Sequence, residues 1–398
     1  MTGPLSGLKV LDLSRILAGP YCTMLLADMG ADVVKVEAPG TGDDTRAWGP
    51  PFLDGESIYF LSINRNKRSM VLDLKNPAGK GVLEDLVRSA DILIENFRPR
   101  TMSRLGLGYE HLKTLNSRLI YGAISGFGLT GPMGTRPGYD LIAQGMGGFM
   151  GITGEEGGGP LKVGLPVADI NAGMFLAMGV LAALTERDRS GEGQMVDTSL
   201  FEGQIAQLTY QAQRYFASGR SPGPEGNVHP LIAPYQTFKA QDGSLNMACG
   251  NNKLFAIFCR LFDKTSLIDD PRFVTNSDRV MNRKALTEII ESLFARRPVE
   301  DLLVDLELAG IPCGPIWPLE TVLNSEQALA REMVVELEHP KLGSWKCTGV
   351  PMKFSRTPGS VRTPPPALGA HQEDVLMDWL DRDRTQRDDL TARGAFGD

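Results

Sequence analysis

Two short apolar runs, LKVLDL (8–13) and ADVVKVE (31–37), flank AGPYCTMLLADMG (18–30), an apolar stretch of helical length that closes on Gly30. Neither run shows the regular apolar/polar alternation of a half-exposed strand, so both read as strands buried on two faces. A buried strand, a helix and another buried strand in immediate succession leave few folds open. They imply parallel pairing through a right-handed crossover, and a sheet with helices on its faces. The pattern recurs. RSMVLDL (68–74) is strand-like, and NPAGKGVLEDLVRSA (76–90) starts a helix with Asn76 as cap and Pro77 at its first position. DILIEN (91–96), RLIYGAIS (118–125) and GQMVDTSL (193–200) are further strands, and a helix follows to about Gly219.

Residues 1–200 are therefore expected to form a large Rossmann-like α/β domain around a parallel sheet. The Gly-, Pro- and Ser-rich SGRSPGPEGNVHP (218–230) closes a linker placed at 201–230. YQTFKAQDGSLNMACG (235–250) carries a hairpin signal at Asp242-Gly243, and helical segments follow, so 231–325 is expected to be a smaller α+β domain. Residues 326–398 read as a return linker and the last part of the large domain. GSWKCTGVPMKFS (343–355) is strand-like, RTPPPALGAH (362–371) is too proline-rich for regular structure, and the chain from Arg382 reads as an exposed helix and a frayed tail.

Several function classes are disfavoured. A net charge of −7 argues against general nucleic-acid binding. The five cysteines are scattered, as expected of reduced thiols, and the four histidines lack metal-ligand spacing, so no metal or prosthetic group is expected. The N-terminus has neither a secretory signal pattern nor an Arg-rich presequence, which points to the cytoplasm. The first strand-to-helix turn, DLSRILAGP, has one glycine where a dinucleotide loop wants three, so nicotinamide binding is not expected.

What remains is an unusual carboxylate. In VGLPVADINAGMFLAMGVLAAL (163–184), Asp169 stands just before a nearly continuous apolar run from Ile170 to Leu184, shorter than the roughly 20 residues of a membrane span. Asp169 is either the N-cap of a buried helix or a reactive anion held at an electropositive helix end. Upstream, GMGGFMGITGEEGGGP (145–160) is either a plain flexible loop or a mobile cover over a site that excludes water. NFRPRTMSRLGLG (96–108) gathers Asn96, Phe97, Arg98, Arg100 and Arg104, and NRNKRSMVLDLK (64–75) adds Arg65, Lys67, Arg68 and Lys75. Two basic clusters on an acidic chain suggest a ligand with several phosphates. Tyr139 stands in the turn TRPGYD (135–140), and CGNNK (249–253) forms a polar turn after the hairpin.

Together these segments resemble the class III CoA-transferase family, to which carnitine and formyl-CoA transferases belong. The resemblance rests on LDLSRILAGPYCTMLLADMGADVVKVE, GDDTRAWGPP, NRNKRSMVLDLK, ADILIENFRPRTMSRLGLGYE, GYDLIAQGMGG, VADINAG and RTPPPALGAH, in order and over nearly the whole chain. It implies an enzyme that moves CoA, bound as a substrate, between an acyl-CoA and a carboxylic acid, with Asp169 as nucleophile. It implies CoA contacts at Leu17 and Ala18, along Leu72, Asp73, Leu74 and Lys75, at Asn96, Phe97, Arg98 and Arg104, and at Arg136, Pro137, Gly138 and Tyr139. Gly250, Asn251 and Asn252 would lie over the acyl group. A basic residue common in formyl-CoA transferases is Ala38 here, leaving Lys35 or Arg46 as replacements. Similarity around GNVHPLIAPYQTF and GNNKLF implies succinyl-CoA as donor and a small dicarboxylate such as glutarate as acceptor, with Arg46 and His229 as candidates for its distal carboxylate. The family also implies an interlocked homodimer. Racemases of alpha-methylacyl-CoA share this resemblance but need a histidine where this chain has Tyr139, and a non-catalytic CoA-binding protein is the other alternative. An aspartate suits CoA transfer because its acyl anhydride stays reactive, and at its ordinary pKa near ~3.9 it is ionised at neutral pH without a general base.

Overall fold

The computed structural model describes residues 3–397. Its buried apolar runs become six parallel strands: β1 (Lys9–Asp12), β2 (Asp32–Glu37), β5 (Lys67–Val71), β6 (Ile92–Glu95), β7 (Ile120–Ser125) and β8 (Met195–Ser199). Between β2 and β5 lies a small ladder of β3 (Phe52–Leu53) and β4 (Glu56–Ser57). The six-stranded order is β5-β2-β1-β6-β7-β8. The chain winds outward from β1 in both directions, and such sheets bind ligands in the crevice where the winding reverses, beyond the carboxyl ends of β1 and β6.

The helices of this unit begin with α1 (Ala18–Asp28), α2 (Ile58–Ile63), α3 (Pro77–Ser89), α4 (Thr101–Leu105) and α5 (Tyr109–Leu115). They continue with α6 (Asp140–Met146), α7 (Phe149–Ile152) and α8 (Val167–Ser190). Alternation along the strands divides the core into two layers. Leu11, Val34, Met70 and Leu93 pack with Val82 and Leu86 of α3 and with Val375 and Trp379 of the helix Gln372–Leu380. Val10, Val33, Ile92 and Ile94 pack with Cys22 and Leu26 of α1 and with Ala172, Leu176 and Val180 of α8. Helix α3 starts as its sequence indicates: Asn76 Oδ1 accepts from Ala78 N–H, with Pro77 first.

Three expectations need correction. Helix α8 has 24 residues and meets the length and hydropathy of a membrane span, yet half of its apolar window is buried. Residues 200–218, expected to be helical but counted mostly with the linker 201–230, form two helices, α9 (Leu200–Gln207) and α10 (Thr209–Ser218), with Thr209 at φ +42° where they meet. The C-terminal tail is not frayed. Asp383 and Gln386 form a capping box at the start of helix Arg384–Ala392, Ala395 is fully buried, and its carbonyl accepts from Asp73 N–H at 2.9 Å.

The chain divides into two compact units. The larger holds residues up to 150, 162–220 and everything from 326, and the smaller holds 151–161 and 221–325. In the smaller unit, β9 (Tyr235–Lys239) and β10 (Ser244–Ala248) make the hairpin around Asp242-Gly243, and β11 (Cys313–Pro315) pairs with β10. Phe238, Phe258, Phe294 and Leu306 fill its core. In the larger unit, β12 (Val334–His339) and β13 (Gly343–Thr348) form a separate antiparallel pair.

Candidate active site

Beyond β1, the turn Ser14–Leu17 crosses the carboxyl edge of the sheet before α1 begins. Ile16 sits at φ +71°, a strained conformation for a β-branched residue that surrounding structure must impose. Three side chains hold the turn. Lys35 Nζ donates to Ser14 O at 2.8 Å. Asn96 accepts from Arg15 N–H at 2.8 Å and donates to Arg15 O at 2.6 Å. Ile16 N–H donates to Asp43 Oδ1 at 3.2 Å.

Beneath the turn lies a buried charge network. Lys35 pairs with Asp43 at 2.8 Å and Lys67 with Asp12 at 3.0 Å, all four side chains fully buried. Burial alone would raise the Asp12 carboxyl, but Lys67 and Lys35 hold it down at about 2. Arg46 is gripped by both Glu37 oxygens at 2.7 Å, donates to Pro366 O, and lies 3.7 Å over the Phe60 ring.

These pairings overturn several expectations. Lys35 is too deeply buried to replace the basic residue missing at Ala38. The Arg46 guanidinium is committed to Glu37 and offers no free fork to a phosphate or a distal carboxylate. In the basic run 64–75, Arg65 pairs with Asp28, Lys67 with Asp12, and Arg68 with Asp32 and Asp378, so these three offer no free charge to a phosphate, while Lys75 is exposed.

Two cavities open at the sheet edge. The larger, about 630 Å³, is lined by Leu72, Asp73, Leu74, Lys75 and Phe97, with Gly397 of the tail. The smaller, about 280 Å³, is lined by Asp169 with Leu17, Ala18, Asn96, Phe97, Arg98 and the run Arg136 to Tyr139. Arg15 and Phe97 line both. The Arg15 guanidinium lies 5.6 Å from the Phe97 ring centroid and 3.2 Å from Asp44. Arg104 lines neither cavity; it is exposed and donates to Thr101 Oγ1, a residue of the larger one. Gly126 and Gly138 explain how the Arg136–Tyr139 run reaches Asp169. A Cβ on Gly138 would lie 2.8 Å from Gly126 Cα, so the two backbones cross in direct contact.

Asp169 is not a cap. It is the third residue of α8, whose N-cap is Pro166 with no side-chain acceptor. Its partly buried carboxylate has no hydrogen bond or ion pair among the described residues. Burial first, and then the neighbouring Asp140 charge, push its carboxyl up to about 7. It is therefore not fully ionised at neutral pH, contrary to the expectation from an ordinary aspartate. Gly173 lies inside α8. A Cβ there would stand 2.6 Å from Ala18 O, so its role is the close crossing of α8 over α1.

The remaining candidates belong to the smaller unit. Asn251 caps helix Asn252–Leu261 by accepting from Leu254 N–H at 2.9 Å, and Asn252 Oδ1 accepts from Arg279 at 2.8 Å. Both side chains thus have structural partners. The His229 ring stacks on Tyr235, and burial together with Arg283 pushes its pKa below the ordinary histidine value. That shift disfavours a positive charge on the ring for a distal carboxylate.

Sequence reasoning missed Arg15, Asp43, Asp140 and the tail. Arg15 was accessible from the rule that residues just beyond parallel strand ends face the ligand. Asp140 stands in the TRPGYD turn and opens α6. Nothing local marks the tail.

The pattern described as CoA-transferase family III matches residues 5–372. Succinyl-CoA:glutarate CoA-transferase of Mus musculus is 42% identical over 99% of this chain and 90% of its own length. Succinate--glutarate CoA-transferase of Agrobacterium fabrum is 44% identical over 96% of this chain and 97% of its own. The crystal structure of a CAIB/BAIF family protein from Brucella suis superposes with a TM-score of 0.83 at 41% identity, covering 95% of this chain and 100% of that one.

Proposed function

The chain belongs to CoA-transferase family III and is an enzyme of that class, and from this premise we propose that it carries CoA from succinyl-CoA to a small dicarboxylate, glutarate first among them, through covalent intermediates on Asp169. The observation that carries the proposal is the unpaired Asp169 carboxylate, in a cavity that shares Arg15 and Phe97 with a larger one. The larger cavity takes the nucleotide end of CoA, between the Leu72–Lys75 turn and Phe97. The smaller takes the thioester.

An Asp169 oxygen attacks the succinyl carbonyl, the C–S bond breaks, and CoA leaves as its thiolate. The mixed anhydride conserves the thioester's reactivity, which a serine ester would lose. The thiolate attacks the aspartyl carbonyl, succinate leaves, and an aspartyl-CoA thioester remains. The acceptor carboxylate then attacks that carbonyl and releases the thiolate, which takes the acyl group and frees Asp169. Charge balances at each step without net proton transfer. Water is the competitor throughout, and the partial burial of Asp169 limits its access.

A dicarboxylate brings a second charge, and Arg15, Arg98 and Arg136 supply positive charge around Asp169. With succinyl-CoA as donor, glutarate should exceed butyrate in kcat/KM by roughly 10- to 100-fold, the scale of one charged hydrogen bond. Butyrate or carnitine matching glutarate removes the dicarboxylate assignment. No histidine lines the Asp169 cavity among the described residues, so no observation favours racemisation.

We further propose an interlocked homodimer in the cytoplasm. The family resemblance supports the dimer, and five unpaired cysteines support a reducing compartment. Tagged and untagged dimers mixed under native conditions should not exchange subunits; rapid exchange contradicts interlocking, and recovery outside the cytosolic fraction contradicts the location.

A further inference from the structure

Two carboxylates converge on the first turn of α8. Asp140, the first residue of α6, accepts from Ala168 N–H through Oδ1 at 2.9 Å. Its Oδ2 accepts from Gln144 Nε2 at 2.7 Å. Gln144, fully buried, also fixes the segment entering α8: it accepts from Val163 N–H at 2.8 Å and donates to Leu165 O at 3.2 Å. Since Pro166 offers no side-chain cap, α8 takes its acceptor from α6. Any short polar residue would satisfy one N–H. A carboxylate does more, because it sets a second negative charge beside Asp169, and the groups bonded to it are neutral.

We propose that Asp140 is a positioning residue of the transfer reaction, holding the first turn of α8 through Ala168 N–H and setting the reactivity of the Asp169 carboxylate by its charge. The proposal rests on the reading of Asp169 as nucleophile. A helix N-terminus ordinarily stabilises an anion and so blunts it. Here Asp140 occupies one of the free N–H groups of that terminus and opposes the charge on Asp169. The nucleophile is left basic and unpaired, which is how a carboxylate attacks best. The shift of the Asp169 carboxyl to about 7, caused first by burial and then by Asp140, agrees with this arrangement. Tyr59 of α2 faces the same charges: burial, then Asp169 and Asp140, push its hydroxyl up to about 12, so it stays neutral. The other charged groups around the cavity are Arg15, Asp44, Arg98 and Arg136, and Arg15 and Asp44 pair with each other.

The test uses the full-length enzyme and Asp140→Asn, which keeps the size and still accepts from Ala168 N–H while losing the charge and the bond from Gln144 Nε2. The Asp169 carboxyl is titrated by NMR in protein carrying carboxyl-¹³C aspartate, its signal identified by its loss in Asp169→Asn. The pH profile of kcat is recorded beside it. In Asp140→Asn, the Asp169 titration and the acid limb of kcat should both move down by about one pH unit. The plateau rate should fall severalfold, with Tm lowered only by the lost bond from Gln144 Nε2. Asp140→Ala, which removes acceptor and charge together, should lower Tm and reduce kcat further. An unmoved titration, or a lower kcat with the acid limb in place, overturns the proposal. Absence of transfer in the wild type, with the NMR shift intact, overturns the nucleophile reading and the reactive half of the proposal with it.

Discussion

Asp169→Asn is expected to fold and to lose CoA transfer by roughly 10⁴- to 10⁶-fold, the scale seen when a covalent nucleophile is removed. The amide keeps the shape of the side chain but is a far weaker nucleophile. The fold should tolerate the change because Asp169 caps nothing: α8 is held by Asp140 at Ala168 N–H. The variant should in fact be more stable above neutrality. Burial, then Asp140, raises the folded carboxyl from 3.8 to about 7. A raised carboxyl costs stability when it must ionise. The cost is fully present above pH 7, fades as pH falls toward 4, and is absent below the unfolded value. Tm of Asp169→Asn should therefore exceed that of the wild type at pH 8 and converge with it near pH 4. Equal Tm values at both pH values, or substantial activity in the variant, contradict this account of Asp169.

Lys67→Met carries the largest expected loss of stability, about 3–5 kcal/mol, because it leaves a buried charge without its partner. Lys67 Nζ lies 3.0 Å from Asp12 Oδ2, 2.9 Å from Pro20 O and 2.9 Å from Asn64 Oδ1. Methionine fills the space and satisfies none of them. Asp12 keeps its bonds from Thr23 Oγ1 at 2.6 Å and from Ser14, yet loses its nearest cation. Against the roughly 5–15 kcal/mol of a typical domain, this is a large fraction. Asp12→Asn added to Lys67→Met should recover part of the loss, since the unpaired charge is then gone. Urea unfolding of the three variants measures it; a loss below about 1 kcal/mol for Lys67→Met shows that water or a neighbour compensates Asp12.

The same residues show where the sequence was legible and where it was not. The Asn76-Pro77 helix start and the Asp242-Gly243 hairpin are local codes, and both appear as read. The doubly wound sheet followed from repeated strand–helix–strand spacing, although the strand order could not be read from it. Within the basic run 64–75, the charges of Arg65, Lys67 and Arg68 look free in the sequence because their partners are remote: Asp28, Asp12 and Asp378 stand 37, 55 and 310 positions away. A charge run shows its own sign and not what neutralises it. The frayed tail failed for the same reason, since Ala395 is fixed by Asp73, far earlier in the chain. Asp169 was legible as a carboxylate at a helix start. Its position within the first turn, and the second carboxylate beside it, required the structure.

If Asp169 becomes covalently activated during turnover, hydroxylamine traps it. Wild-type enzyme is incubated with hydroxylamine, with and without succinyl-CoA, and digested for peptide mapping by mass spectrometry. Only an acyl anhydride or a thioester of a carboxylate reacts readily with hydroxylamine, so inactivation should require succinyl-CoA and place a single hydroxamate on Asp169. A hydroxamate on another residue, or full activity after prolonged turnover in hydroxylamine, contradicts the mechanism.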